Sequence, residues 1–342
     1  MATATLELMV EKESTVLQTP KELMQEYPLT ETAAQTVSDA RQDIQNILDK
    51  KDPRLLIVTG PCSIHNPQEA LEYAQKVKQL SEEVKDKALL VMRAYFEKPR
   101  TQLGWKGALY DPDMNDTYNI QKGHEQAREL LLQINELGVP TATEFLGLLT
   151  PQYYEDLISY SAIGARTVES QPHREMTSGL SMPVGLKNNT EGSIVSAINA
   201  IKSAQGKHNF VTGNSERNYA IVQTNGNPYA HIILRGGEKP NHDPESIKQT
   251  EELLEKNQLP KSIIIDCSHA NSNKDYTKQP EVFNSTIRQR KTNPNIVGVM
   301  LESNLQPGNQ KIPQDLSQLQ YGVSITDACI GWKTTEKLIK EF

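Results

Sequence analysis

Eight short apolar runs recur along this chain, near residues 55–59, 88–93, 139–144, 162–168, 183–187, 230–235, 262–267 and 296–301. Helical patterns follow most of them, over 66–84, 124–137, 151–160, 191–204, 245–256 and 280–290. Strands that alternate with helices make a parallel sheet, and near-continuous apolar strands are covered on both faces. Eight such units predict an α/β fold of the (β/α)8 TIM-barrel type. No G-x-G-x-x-G or Walker pattern follows any run, which argues against an open doubly wound sheet.

Two stretches do not fit the repeat. Residues 31–48 set Ala34, Val37, Ala40, Ile44, Ile47 and Leu48 on one helical face ahead of the first strand. Residues 1–50 are therefore read as an N-terminal extension and 51–342 as the barrel. Between the fifth and sixth runs, FVTG and NYAIVQT alternate around SERN, which predicts an inserted β-hairpin at about 206–225. Both additions are expected to make subunit or regulatory contacts, in a homodimer or homotetramer. A polar, Gly/Pro-rich segment, KPRTQLGWKGALYDP, is expected to loop over the barrel mouth.

The net charge of −7 argues against nucleic acid or an acidic membrane as a bulk partner. No apolar run is long enough to span a bilayer, and MATATLELMVEKEST lacks the features of a secretory signal. Three cysteines do not make a disulfide framework. The expectation is a cytoplasmic protein with reduced thiols.

Chemistry in such a barrel sits where strands end at the C-terminal face. Six cations fall there: Arg93, Lys98, Arg100, Arg166, Lys187 and Arg235. Each alone reads as a surface charge. Together, in an acidic protein, they read as a site for several anionic groups, because gathered like charge needs anions to balance it. Gly236-Gly237 after the sixth strand is expected to let backbone N–H groups approach a phosphate. A second set, Cys62, His269, Glu302 and Asp327, combines thiolate, imidazole and carboxylates, a mixed donor set for Mn²⁺, Fe²⁺, Co²⁺ or Zn²⁺. Its spacing is not a compact metal motif, so only the barrel topology argues for it.

These residues lie in stretches that resemble a known family. GPCSIH, RAYFEKPRT, GWKG, IGARTVESQ, PVGLKN, HIILRGG, DCSHANS, GVMLESN and SITDACIGW, in this order, resemble 3-deoxy-D-arabino-heptulosonate-7-phosphate synthases of the type I microbial form. The resemblance runs from about residue 15 to the C-terminus. It implies a (β/α)8 barrel that needs a divalent metal and condenses phosphoenolpyruvate with erythrose 4-phosphate, the entry to the aromatic amino acids. By motif, Cys62, His269, Glu302 and Asp327 match the metal ligands. Arg93, Lys98, Glu144, Ala165, Arg166, Lys187 and Arg235 match the phosphoenolpyruvate site. Pro99, Arg100 and Thr101, with Asp327 close by, match the erythrose 4-phosphate site. Lys98 is expected to deliver a proton to the aldehyde oxygen, and Glu144 to position water. The sister enzyme that makes 3-deoxy-manno-octulosonate 8-phosphate carries a KANRS-type motif, where this chain has Lys98-Pro99-Arg100-Thr101.

The resemblance also implies feedback by an aromatic amino acid held between barrel, hairpin and a neighbouring subunit. Pro151, Leu180, Ser181, Phe210 and Thr212 fall in the matching stretches. Thr212 stands where Phe-sensitive members tend to have Ser and Tyr-sensitive members Gly. Three positions depart from the family's usual residues: Leu186 for Phe, Asn189 for Gly and Asn304 for His.

Overall fold

The computed structural model describes residues 15–342 except Arg217. Part of the extension expected over 1–50, residues 1–14, thus lies outside the described residues. The barrel begins with β1 (Leu55–Gly60), β2 (Ala88–Arg93), β3 (Thr141–Glu144), β4 (Tyr160–Ile163) and β5 (Val184–Lys187). A hairpin, β6 (His208–Gly213) and β7 (Tyr219–Thr224), intervenes. The barrel continues with β8 (Ala230–Leu234), β9 (Ile263–Asp266) and β10 (Ile296–Asn304). A short β11 (Ile330–Gly331) pairs with the tip of β10. Every barrel pairing is parallel, and β10 returns to β1 with Leu56 opposite Gly298 and Gly60 opposite Glu302.

The helices are α1 (Pro20–Glu26), α2 (Glu31–Leu48), α3 (Pro67–Val84), α4 (Ile120–Glu136), α5 (Pro151–Tyr154), α6 (Gln171–Gly179), α7 (Ile194–Ala204), α8 (Pro244–Lys256), α9 (Gln279–Arg290) and α10 (Trp332–Glu341). Their starts follow local chemistry. The Asn66 side chain accepts from the Gln68 and Glu69 amides ahead of α3, and Asp243 accepts from Glu245 and Ser246 ahead of α8.

Side chains alternate along each strand, so one barrel has two cores. Leu55 and Ile57 of β1 face outward to the helices, in a cluster with Tyr73, Val77 and Leu80 of α3. Leu56 and Val58 face inward, packed with Val91, Ala142, Tyr160, Ile233, Ile264 and Met300. The same inner cluster includes Ile44, Ile47 and Leu48, so α2 closes the N-terminal end of the barrel. Ser262 Oγ donates to the Leu48 carbonyl at 2.7 Å and fastens that closure. The opposite, C-terminal end is where the strand-end side chains meet. Among the described residues, no helix is long and apolar enough to cross a membrane.

Three expectations differ from the structure. The helix expected over 151–160 stops at Tyr154, and a 3-10 turn at Glu155–Leu157 leads straight into β4. Arg128 takes the Tyr153 carbonyl and Arg41 the Glu155 and Ile158 carbonyls, so the backbone here is satisfied by arginine side chains. The strand expected over 162–168 ends at Ile163, because the Thr167 and Val168 amides turn back to the Gly164 carbonyl. Ala165 and Arg166 therefore sit in the β4–α6 loop and not in a strand. The polar helix α6, QPHREMTSG, was not legible as a helix because only Met176, Thr177 and Ser178 of it are buried.

Packing inside the barrel is close enough to test. A Cβ at Gly185 would lie 2.2 Å from Tyr160 Oη and 2.3 Å from Ile233 Cδ1. Gly185→Ala should lower stability by about 1–3 kcal/mol through overpacking. Denaturant unfolding against the parent protein measures it, and an unchanged midpoint would show that the inner layer has slack.

Candidate active site

The strand ends converge on a cavity of about 450 Å³. It is lined by every cation of the sequence-derived set, by Pro99, Glu144 and Ala165, and by His269, Glu302 and Asp327. Cys62 lies fully buried just behind the wall. Thr101 reaches the rim through a hydrogen bond from Arg166 Nε at 3.1 Å.

Cys62 follows β1, Glu302 stands on β10, His269 follows β9 and Asp327 lies just before β11. One donor atom each from Cys62, Glu302 and Asp327 lies within 4.8 Å of the others. Cys62 Sγ is 3.6 Å from Asp327 Oδ2. His269 stands beside this trio, its Nε2 3.8 Å from Glu302 Oε1. Its other nitrogen, Nδ1, is 2.9 Å from Asp266 Oδ2, which turns Nε2 toward the cluster. The backbone of His269 is left-handed (φ 56°), an unfavourable conformation for a non-glycine residue that aims the ring inward. Burial pushes the Cys62 thiol up to about 11, reinforced by Glu302, against the pull of Lys98 and Arg93. A divalent cation among these donors would supply the positive charge the thiol needs to ionise. Sulfur, nitrogen and two carboxylates on one small centre fit a transition metal.

The cations are held by buried carboxylates. Arg93 is 1% exposed, with Nη2 3.2 Å from Glu302 Oε1, Nε donating to the Pro61 carbonyl and its guanidinium 3.9 Å from the Tyr95 ring centre. Its Nη1, buried at the cavity wall, has no hydrogen-bond partner, and neither does Tyr95 Oη. Both residues line the cavity wall, where two buried polar atoms without partners call for an explanation. Lys187 Nζ lies 3.2 Å from Glu144 and 3.3 Å from Asp266. Burial opposes ionisation of Glu144, yet Lys187 and Lys98 hold its carboxyl below the usual range. Lys98 Nζ is 3.1 Å from Cys62 Sγ and 3.2 Å from the Cys62 carbonyl. Burial acts to lower the Lys98 pKa, but Cys62, Glu302, Asp327 and Glu144 outweigh it and raise it. Arg100, Arg166 and Arg235 are less constrained: Arg100 Nε donates to the Trp105 carbonyl and Arg235 Nη1 to the Gly236 carbonyl.

The role expected for Gly236-Gly237 needs correction. The Gly236 amide donates to Asn241 Oδ1 and the Gly237 amide to the Lys239 carbonyl, so both are already used. The glycines are required by crowding instead. Gly236 has φ +74°, and a Cβ at Gly237 would lie 2.2 Å from Gly192 Cα. Asn189, one of the departures, accepts from the Gly192 and Ser193 amides and shapes the loop facing them. Leu186 is fully buried in the core, and Asn304 accepts from the Leu305 amide.

Several residues of the mouth escaped the sequence reading. Asp266, the last residue of β9, opens the DCSHANS stretch, but nothing in that stretch assigns it a role. Gln279 sits on a helix start far from the strand ends in sequence. Lys274 and Tyr276 come from the β9–α9 loop. Glu97 is 2% exposed and accepts from the Leu146 and Gly147 amides and from Tyr110 and Thr150, which ties the Lys98 segment to the β3–α5 loop.

A second cavity, of about 320 Å³, opens between α5, α6 and the hairpin. Pro151, Leu180, Phe210 and Thr212 line it, with Met176 and the carboxylates Glu155 and Glu175. Ser181 does not line it, and instead accepts from Arg41 Nη1 at 3.1 Å.

The chain matches the model of the DAHP synthetase I family over residues 26–340. It is 51% identical over 327 residues to "Phospho-2-dehydro-3-deoxyheptonate aldolase, Tyr-sensitive" of Escherichia coli, covering 95% of this chain and 92% of that protein. It is 48% identical over 326 residues to the Trp-sensitive protein of that name from the same organism, covering 95% and 93%. The solved structure of a phospho-2-dehydro-3-deoxyheptonate aldolase from Francisella tularensis matches with a TM-score of 0.95 at 45% identity, covering 96% of both chains.

The Arg93–Glu302 pair is buried on both sides, so removing one partner should strand the other. Arg93→Ala is expected to lower stability by about 3 kcal/mol or more, with Arg93→Lys recovering part of it. Equilibrium unfolding without substrate reads this. A loss below about 1 kcal/mol would mean that Glu302 is satisfied by its other neighbours.

Proposed function

The chain belongs to the DAHP synthetase I family, and from that premise we propose how its barrel mouth condenses phosphoenolpyruvate with D-erythrose 4-phosphate. The products are 3-deoxy-D-arabino-heptulosonate 7-phosphate and phosphate, in the first step of the shikimate pathway to aromatic amino acids. The observation that carries the residue assignment is the meeting of Arg93, Lys98, Lys187 and Arg235 with Glu302 and Asp327 around one cavity.

In this reading Arg93, Arg166, Lys187 and Arg235 bind the phosphate and carboxylate of phosphoenolpyruvate. Arginine forks suit both groups, and the unpaired Nη1 of Arg93 is a donor waiting for one. Ala165 gives the wall between Glu144 and Arg166 its small size. Arg100 and Thr101, on the Pro99 turn, hold the phosphate of erythrose 4-phosphate. C3 of phosphoenolpyruvate attacks the aldehyde carbon, and the electron pair of the C=O bond takes a proton from Lys98. Water, positioned by Glu144, adds at C2 and gives up one proton, which restores the Lys98 ammonium; the hemiketal hydroxyl then gives its proton to the departing phosphate as the C2–O bond breaks to leave the ketone. Lys98 suits its role because its acidic neighbours keep it protonated at neutral pH. Cys62, His269, Glu302 and Asp327 would hold a divalent metal (Mn, Fe, Co or Zn), which when bound supplies Lewis-acid polarisation of the aldehyde oxygen.

The second cavity is read as the effector site. The apolar side chains of Phe210, Leu180 and Pro151 suit an aromatic ring, and Glu155 and Glu175 suit an ammonium group. Ser181 would act only through Arg41. The hairpin leaves Val211, Tyr219 and Ile221 exposed at 68%, 91% and 76%, which supports a homodimer or homotetramer assembled over that face. The cytoplasm is the proposed compartment, in keeping with three free thiols.

Lys98→Ala should lower kcat by about 10²–10⁴-fold with metal content unchanged. Near-normal turnover would remove Lys98 from proton delivery. Erythrose 4-phosphate should be turned over and arabinose 5-phosphate should not, measured as phosphate release. Titration with millimolar Tyr, Phe and Trp should reveal inhibition by at least one. Thr212→Trp, which fills the second cavity, should abolish that inhibition, and a flat response of the parent protein to all three would refute feedback control.

A further inference from the structure

The β9 strand ends two residues too early to support β10. Its last pairing sets Asp266 against Met300, and the Cys267 amide still donates to the Met300 carbonyl at 2.9 Å. The chain then leaves toward α9. Backbone groups of a strand point to the same edge at every second residue. The amide and carbonyl of Glu302 therefore face the edge that β9 has abandoned, and Glu302 is buried, 2% exposed. A buried amide and carbonyl left there without partners would be costly.

One side chain fills the gap. Gln279, the first residue of α9 and fully buried, accepts from the Glu302 amide through Oε1 at 2.9 Å and donates to the Glu302 carbonyl through Nε2 at 3.0 Å. A primary amide carries one acceptor and one donor group side by side, as a strand's own peptide edge does. Gln279 thus stands in for the missing residue of β9. Side chains alternate along β10, so fixing the Glu302 backbone also fixes its carboxylate toward the mouth, 3.2 Å from Arg93 and grouped with Cys62 and Asp327.

We propose that Gln279 is a positioning residue for the metal-type centre, continuing the barrel ladder by one peptide so that the Glu302 carboxylate is held in place. This rests on the reading of Glu302 as a metal ligand. The partner of a metal ligand tunes affinity without touching the ion.

The test is Mn²⁺ affinity of metal-free protein, measured by calorimetry at fixed pH without substrates, beside thermal unfolding. Gln279→Met keeps the shape and removes both hydrogen bonds. It should weaken Mn²⁺ binding about 10–100-fold. Gln289→Met, on the same helix, removes a hydrogen bond to the His242 carbonyl away from the site. It should leave Mn²⁺ affinity within twofold, even where its unfolding temperature falls as much. Mn²⁺ affinity of Gln279→Met within twofold of the parent overturns the proposal. Glu302→Gln separates the two ideas: if it too binds Mn²⁺ normally, the reading of Glu302 has failed, and if it alone loses binding, only the positioning role has. Should Gln279→Met not fold, Gln279→Asn withdraws the amide by one methylene and carries the same two outcomes.

Discussion

Closure of β10 onto β1 is the constraint on which the site depends. The parallel ladder from Leu56–Gly298 to Gly60–Glu302 brings together segments that lie at opposite ends of the chain. It sets Cys62, two residues beyond the end of β1, beside Glu302 on β10. The seam leaves little room for variation: a Cβ at Gly298 would come 2.8 Å from the Leu56 carbonyl oxygen, and on the other side of β1 one at Gly60 would come 2.9 Å from the Arg93 carbonyl oxygen of β2. Neither the cation cluster nor the metal-type centre exists until this seam closes.

Once it is closed, the mouth faces an electrostatic problem that its acids resolve. Arg93 and Lys187 are withdrawn from water and Lys98 is half-buried within one cavity wall, where like charges repel strongly. Glu302, Glu144 and Asp266 are threaded between them, each within 3.3 Å of a cation. Asp266 also lies 2.9 Å from His269 Nδ1, so one buried carboxylate links the cations of the mouth to the metal-type side. Arg93 Nη1 remains a buried donor without a hydrogen-bond partner.

The additions to the barrel work from its far end and its flank. Helix α2 seals the N-terminal end with Ile44, Ile47 and Leu48, and its Arg41 reaches the backbone beside the second cavity. From that cavity, the β3–α5 loop leads directly to Glu97, the neighbour of Lys98. The two cavities are therefore joined by hydrogen bonds to a buried carboxylate and not only by proximity.

The sequence by itself determined the repeat, and with it the barrel. Period and apolarity are local properties, and eight recurrences leave few folds that bury them. It also determined which residues stand at strand ends, and so most of the cations and the thiol, imidazole and carboxylate donors. It could not show the link from Asp266 to Lys187 or from Gln279 to Glu302, because these partners lie far apart in the chain and follow no local pattern. It misplaced Ala165 and Arg166 in a strand, where the Thr167 and Val168 amides turn back to Gly164, a position at which any Cβ would come 2.5 Å from Glu144 Oε1. It read Gly236-Gly237 as an anion cradle, where their amides are consumed by Asn241 and Lys239. The folded structure decided these points, because a hydrogen-bonding group's availability depends on which neighbour, near or far in the chain, reaches it first.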